Sequence, residues 1–140
     1  MAHKEGHNVP YIQWKLRNDG EWDTVDSDFW FKDKTVVVFS LPGAFTPTCS
    51  AKHLPGFVKH TKDIKAKGVD TIACVSVNDV FVMGAWSIDQ EVNNNVLMLA
   101  DGSAKFSQAT GLEVDLSERG MGIRCKRFLM VIENYQITSL

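Results

Sequence analysis

The sequence predicts an α/β domain in which strands alternate with helices around one apolar sheet. Two observations carry that expectation. Residues 35–41 and 71–77 are runs of apolar and β-branched side chains, the pattern of buried strands. Each is followed by a segment of helical character, over 53–67 and again from Val80 to Ile88, with Gly68 as a stop signal and Asp79 as a start signal.

Taken in order, residues 9–17 alternate roughly between apolar and polar. Asn18, Asp19 and Gly20 tolerate positive φ and predict a hairpin turn, with 21–25 as the return strand. Ser27 or Asp28 can cap a short helical turn carrying Phe29, Trp30 and Phe31. After the strand at 35–41 the next helix is expected from about Pro47, an early helical position that suits proline, to Lys67. Pro55 lies inside that span and predicts a kink or a break. Asn78 and Asp79 can cap a helix carrying Val80, Phe81, Met83, Trp86 and Ile88. Residues 96–100 read as a short strand, 103–110 as a short helix ended by Gly111, and 128–132 and 136–140 as two strands joined near Asn134.

A chain of 140 residues without repeats or linkers is expected to form one domain over its whole length, with residues 1–8 as a flexible leader. The net charge of −2 and the absence of a basic stripe argue against nucleic acid as a partner. No stretch approaches the ~18 continuous apolar residues of a membrane-spanning helix, so no membrane partner is expected. The N-terminus has no secretory apolar segment and no Arg-rich presequence. A cytoplasmic location is expected, with an organellar matrix as the alternative if a presequence has been removed. The three cysteines, Cys49, Cys74 and Cys125, form neither a CxxC pair nor zinc-like spacing, which suits a reducing compartment and one functional thiol.

Cys49 is the residue with the clearest chemical signal. It stands where the strand at 35–41 gives way to a helix. Unsatisfied N–H groups and the positive end of the macrodipole favour a thiolate there, and the thiolate is the reactive species.

Three motifs fall in order around it. Pro42, Thr46 and Cys49 have the spacing Pro-x-x-x-Thr-x-x-Cys within the string PGAFTPTCS; HLPGF follows at 53–57 and SVND at 76–79. From about Val9 to its end the chain resembles the peroxiredoxins, in their type II, peroxiredoxin-5-like, one-cysteine branch. The resemblance implies a thioredoxin-like fold with an N-terminal hairpin and an insertion, its central mixed sheet flanked by helices. It implies a thiol-dependent peroxidase acting on hydrogen peroxide and alkyl hydroperoxides through a sulfenic acid on Cys49. An external thiol, glutathione with glutaredoxin or thioredoxin, would reduce that acid.

The same resemblance carries roles onto individual residues. Thr46 can accept from the peroxide and donate toward the thiolate or the reacting oxygen, although a threonine there could instead cap the helix. Pro42, lacking an N–H, can wall the thiolate from water. Lys126-Arg127-Phe128 matches the motif of the catalytic arginine and places it at Arg127, with Arg124 the rival within a basic cluster that also holds Arg119. Gly43, Phe45 and Thr48 would line the substrate site, and N–H groups around Thr48 and Cys49 would hold the developing oxyanion. Cys74 reads as a core thiol with a resolving role as the alternative; Cys125, outside the family pattern, reads as a packed or exposed passive thiol, with a place on Arg127's side of the sheet as the alternative. His3 and His7 fall in the leader, His53 one turn beyond Cys49, and His60 on the surface. No metal or other cofactor is expected. The resemblance further implies a homodimer, with Phe45, Phe81 and Trp86 as contacts, and a C-terminal helix that is missing after Leu140. A redox relay is the competing function, and a catalytically silent homologue is disfavoured because Pro42, Thr46, Cys49 and Arg127 are all present.

Overall fold

A computed structural model describes residues 6–18, 20–47, 54–93 and 95–140. A hairpin of β1 (Gln13–Asn18) and β2 (Glu21–Asp26) leads into α1 (Ser27–Phe31) and then β3 (Thr35–Ser40). There follow α2 (Leu54–Lys59), α3 (Thr61–Lys65), β4 (Thr71–Ser76), α4 (Val80–Asp89) and β5 (Leu97–Ala100). The chain continues through α5 (Lys105–Thr110), β6 (Glu113–Asp115), β7 (Ile123–Cys125), β8 (Phe128–Glu133) and β9 (Gln136–Ser139). Five of these strands form a mixed sheet in the order β5-β4-β3-β8-β9, with β3, β4 and β5 parallel, β8 antiparallel to β3, and β9 antiparallel to β8. This is the thioredoxin-like α/β arrangement expected.

Alternation along β3 and β4 explains why both strands are apolar through their interior, between a terminal threonine and a terminal serine. Val36 and Val38, with Ala73 and Val75, enter a core that also holds Trp14, Phe106 and Met130. Their neighbours Phe39, Ile72 and Cys74 point to the opposite face and pack with Leu41, Leu54, Met83 and Trp86. Each large side chain buried this way contributes about 1.5–3 kcal/mol.

Several boundaries depart from expectation for local reasons. The cap of α1 is Asp26, whose carboxylate accepts from the Phe29 N–H at 3.2 Å. Ser27 is buried instead, donating to the Pro10 carbonyl and accepting from the Ile12 N–H, both at 2.9 Å. The helical segment after the Cys49 region breaks at His60, beyond Pro55, and the Thr61 hydroxyl donates back to the Phe57 and Val58 carbonyls. Gly68 takes the left-handed conformation at φ +93 that the stop signal required. Residues 6–8, expected to belong to a flexible leader, pair with the last strand: Gly6 N–H reaches Ile137 O at 2.7 Å, and Asn8 bridges Gln136. The β6–β7 hairpin was not foreseen, since strands of three residues are too short to show a period.

One buried carboxylate organises the end of β5. Asp101 accepts from the Phe106 N–H at 3.0 Å and from the Ser107 N–H and hydroxyl at 2.9 and 2.8 Å, closing the start of α5. Burial pushes its pKa up against the lowering effect of those donors. Asp101→Ala would orphan all three and is expected to cost about 2 kcal/mol, read as a lower urea midpoint with an unchanged m-value.

Candidate active site

The site is built where β3 runs out. Leu41 is still core, but Pro42 has no N–H to continue the ladder, and the chain turns through 43–46 into Pro47, which is already helical. Two clamps shape this turn. The Ala44 N–H donates to Asn78 Oδ1 at 3.0 Å, and the Ser76 hydroxyl donates to the same oxygen at 2.7 Å. Within the turn, the Thr46 hydroxyl donates to the Gly43 carbonyl at 2.7 Å, with the Thr46 N–H on the same oxygen at 3.4 Å. Phe45 at the apex has φ +63, an uncommon conformation for a residue with a side chain, and its ring is 51% exposed.

The geometry divides the work expected of Thr46. Its proton is committed to Gly43, so its lone pairs remain available as acceptors. The sequence expectation that it also donates toward the thiolate is not what this bonding shows. Asn78 was read only as a helix cap beside Asp79. Asp79 alone caps α4, accepting from the Val82 N–H at 2.8 Å, which frees Asn78 to hold the loop.

Thr48 and Cys49 lie outside the described residues, as do His3 and His53. The arginines can be placed. Phe128 pairs with Ser40, so Arg127, one residue earlier on the antiparallel partner, stands level with Leu41 at the mouth of the loop and is exposed. The Ser40 hydroxyl donates to the Lys126 carbonyl and secures that crossing. Arg124 is half-buried on β7 and reaches the loop from beneath, with Nη1 at 3.4 Å from Pro42 O and 3.2 Å from Val77 O. Both arginines therefore come to the same end of the sheet as Pro42, Gly43 and Thr46.

Neither of the other thiols is exposed there. Cys74 sits mid-strand between Phe39 and Met98, fully buried in the core. Cys125 is also fully buried, opposite Glu113 on β7. Burial pushes its pKa up, against hydrogen bonds to Ser107 and Ser40. Strand alternation does not relate Cys125 to Arg127, because β7 ends at Cys125 and Arg127 lies in the link to β8. Trp86, expected in the core or at a dimer contact, is 0% exposed and belongs to the core. His60 is an exposed surface residue 3.7 Å from the Asp63 carboxylate. Among the described residues no group of three His, Cys, Asp or Glu side chains could hold a metal, and no helix is long and apolar enough to cross a membrane.

A second concavity of about 360 Å³ lies between the hairpin and the start of α4, lined by Trp14, Lys15, Trp22, Asp79 and Lys105 among others. Three of its polar groups are already committed: Asp79 to α4, Asp101 to α5, and Lys15 Nζ to Thr24 Oγ1 at 2.7 Å.

Comparison with known proteins agrees with this architecture. A profile of the Redoxin family matches residues 4–140. Peroxiredoxin-2C of Oryza sativa is 53% identical over 105 residues, which cover 75% of this chain and 65% of the rice protein. The chain thus matches somewhat under two thirds of that relative's length. Among solved structures, reduced Prx3 of Vibrio vulnificus in complex with H2O2 superposes with a TM-score of 0.92 at 43% identity, covering 98% of this chain and 85% of that one. The 1-Cys peroxiredoxin antioxidant protein of Plasmodium falciparum gives 0.90 at 30% identity, with 98% and 82% covered.

The burial of Cys74 and Cys125 predicts the thiol chemistry of the native chain. An Ellman's-reagent titration should find one fast thiol, lost in Cys49→Ser, and all remaining thiols only after denaturant is added.

Proposed function

Because the chain belongs to the redoxin family and, within it, to the peroxiredoxins, we propose that it is a thiol-dependent peroxidase for hydrogen peroxide and alkyl hydroperoxides. The observation that carries this reading is the turn at 42–47, which presents the Thr46 oxygen as an acceptor at the end of the sheet where Arg127 also emerges.

In the proposed reaction the Cys49 thiolate attacks one peroxide oxygen. An S–O bond forms as the O–O bond breaks, and the departing alkoxide or hydroxide takes a proton to leave as alcohol or water. The Thr46 oxygen accepts the hydroperoxide O–H and orients it. The planar guanidinium of Arg127 stabilises both the thiolate and the negative charge on the leaving oxygen. Pro42, with no N–H of its own, helps to exclude water from the sulfur, and Gly43 and Phe45 with Thr48 border the substrate.

The sulfenic acid is then reduced from outside. One thiol condenses with it to a mixed disulfide and water, and a second thiol releases Cys49. An internal partner would have to bring its Cα within ~7 Å of that of Cys49. The buried positions of Cys74 and Cys125 favour glutathione with glutaredoxin, or thioredoxin, over either of them. Such a cycle belongs to a reducing compartment, the cytoplasm or an organellar matrix. One domain over residues 1–140 performs it.

A homodimer is part of the same reading. Phe45, Trp22 and Phe81 expose 51%, 56% and 59% of their surface, with Trp22 and Phe81 edge to face at 5.7 Å beneath the Arg17 guanidinium. That is a large apolar presentation for a surface, and Trp86, once expected there, takes no part in it.

Stopped-flow tryptophan fluorescence of the reduced chain with stoichiometric hydrogen peroxide tests the chemistry. A fast phase is expected, absent in Cys49→Ser and slowed roughly 100-fold in Arg127→Ala and Thr46→Val, with Thr46→Ser close to wild type. A flat wild-type trace together with no sulfenic acid by mass spectrometry would sink the peroxidase reading. Separately, Phe45→Glu should halve the mass seen by light scattering; an unchanged mass removes this face as the dimer contact.

A further inference from the structure

The reaction described above leaves Arg124 without a task, yet it is the more deeply engaged of the two arginines in the described bonding. Its guanidinium donates to backbone carbonyls of three separate segments: Met121 O at 2.9 Å from Nε, Val77 O at 3.2 Å and Pro42 O at 3.4 Å, both from Nη1. Among the described residues no carboxylate pairs with it. A half-buried cation that spends its donors on carbonyls is fixing backbone rather than answering a charge.

A second observation comes from the loop itself. A Cβ built on Gly43 would lie 2.8 Å from Arg124 Nη1 and 3.2 Å from Thr46 Cγ2. Gly43 is not at positive φ, so its lack of a side chain serves clearance rather than backbone conformation. The glycine admits the guanidinium, which bonds the Pro42 carbonyl on one side of Gly43, while the Gly43 carbonyl on the other side holds the Thr46 hydroxyl.

We propose that Arg124 is a positioning residue that locks the Pro42–Gly43 peptide to the loop after β4 and to the β6–β7 hairpin, and that Gly43 is its steric counterpart. Arg124 sets where Thr46 sits and where the chain enters the turn toward Cys49, and it does so without touching the peroxide. Asn78 holds Ala44 from the neighbouring side, so the loop is gripped at the two consecutive peptides that flank Gly43. Lysine cannot fully replace it, because a single ammonium lacks the fork that spans three carbonyls. The effect on rate rests on the peroxidase reading; the tether itself does not.

The test uses the full chain carrying Arg124→Met, Arg124→Lys, Gly43→Ala and the Gly43→Ala/Arg124→Met pair, each checked for native circular dichroism. Amide hydrogen exchange is followed by mass spectrometry in peptides covering 41–47, and Cys49 oxidation by stoichiometric hydrogen peroxide in a single turnover. All variants should exchange Ala44 and Thr46 about 10-fold faster and oxidise about 10- to 100-fold more slowly, with Arg124→Lys at best a partial rescue. The paired variant should be no slower than the slower single one, since both break one lock; independent effects would multiply. Unchanged exchange at 41–47 in Arg124→Lys and Arg124→Met, or a multiplied loss in the pair, would overturn the proposal. If the wild type fails to oxidise, the peroxidase reading falls, and exchange alone still decides the tether.

Discussion

The pairing of β3 is the constraint on which the rest depends. It is hydrogen-bonded to β4 on one side and β8 on the other, and side chains leave it alternately into two cores. A strand held on both edges and both faces has no freedom of register, because a slip by one residue would send Val36 and Val38 into the core built for Phe39. That fixed register decides where its last residue falls. Ser40 stands beside Phe128 and Val75, so the segments that follow Ser40 and Val75 and the one that precedes Phe128 meet at one end of the sheet.

What meets there is mostly backbone. The loop at 42–46 is held by an amide of Ala44 on Asn78, by a hydroxyl folded onto the Gly43 carbonyl, and by a guanidinium on Pro42. Side chains that grip peptide groups can hold a turn whose apex carries a positive φ at Phe45, a conformation that costs about 1–3 kcal/mol and persists only when its surroundings determine it. In the proposed reaction that rigidity has a use, because an acceptor such as the Thr46 oxygen is most effective when it does not have to reorganise.

Two arginines reach this end of the sheet with different surroundings. Arg127 is exposed at the loop mouth. Arg124 is half-buried beneath the loop with carbonyls as partners. In the sequence both were basic residues near a strand, and the family motif could only rank one above the other.

The sequence by itself determined the elements that repeat. The apolar runs of β3 and β4, the cap at Asp79, the stop at Gly68 and the turn at Asn134 are each set by local periodicity or backbone preference, and the Pro42, Thr46 and Cys49 spacing pointed to the loop after β3. Tertiary structure alone decided what depends on distant pairings. Asn78 looked like a second cap but lies 34 residues from the amide it holds. Ser27 looked like a cap but is buried on Pro10 and Ile12. Arg124 bonds across 82 residues to Pro42, and Gly43 matters because of a group that only folding brings within 2.8 Å of its missing Cβ. Local preference reads a few residues at a time, and these contacts exist only after the sheet has closed its register.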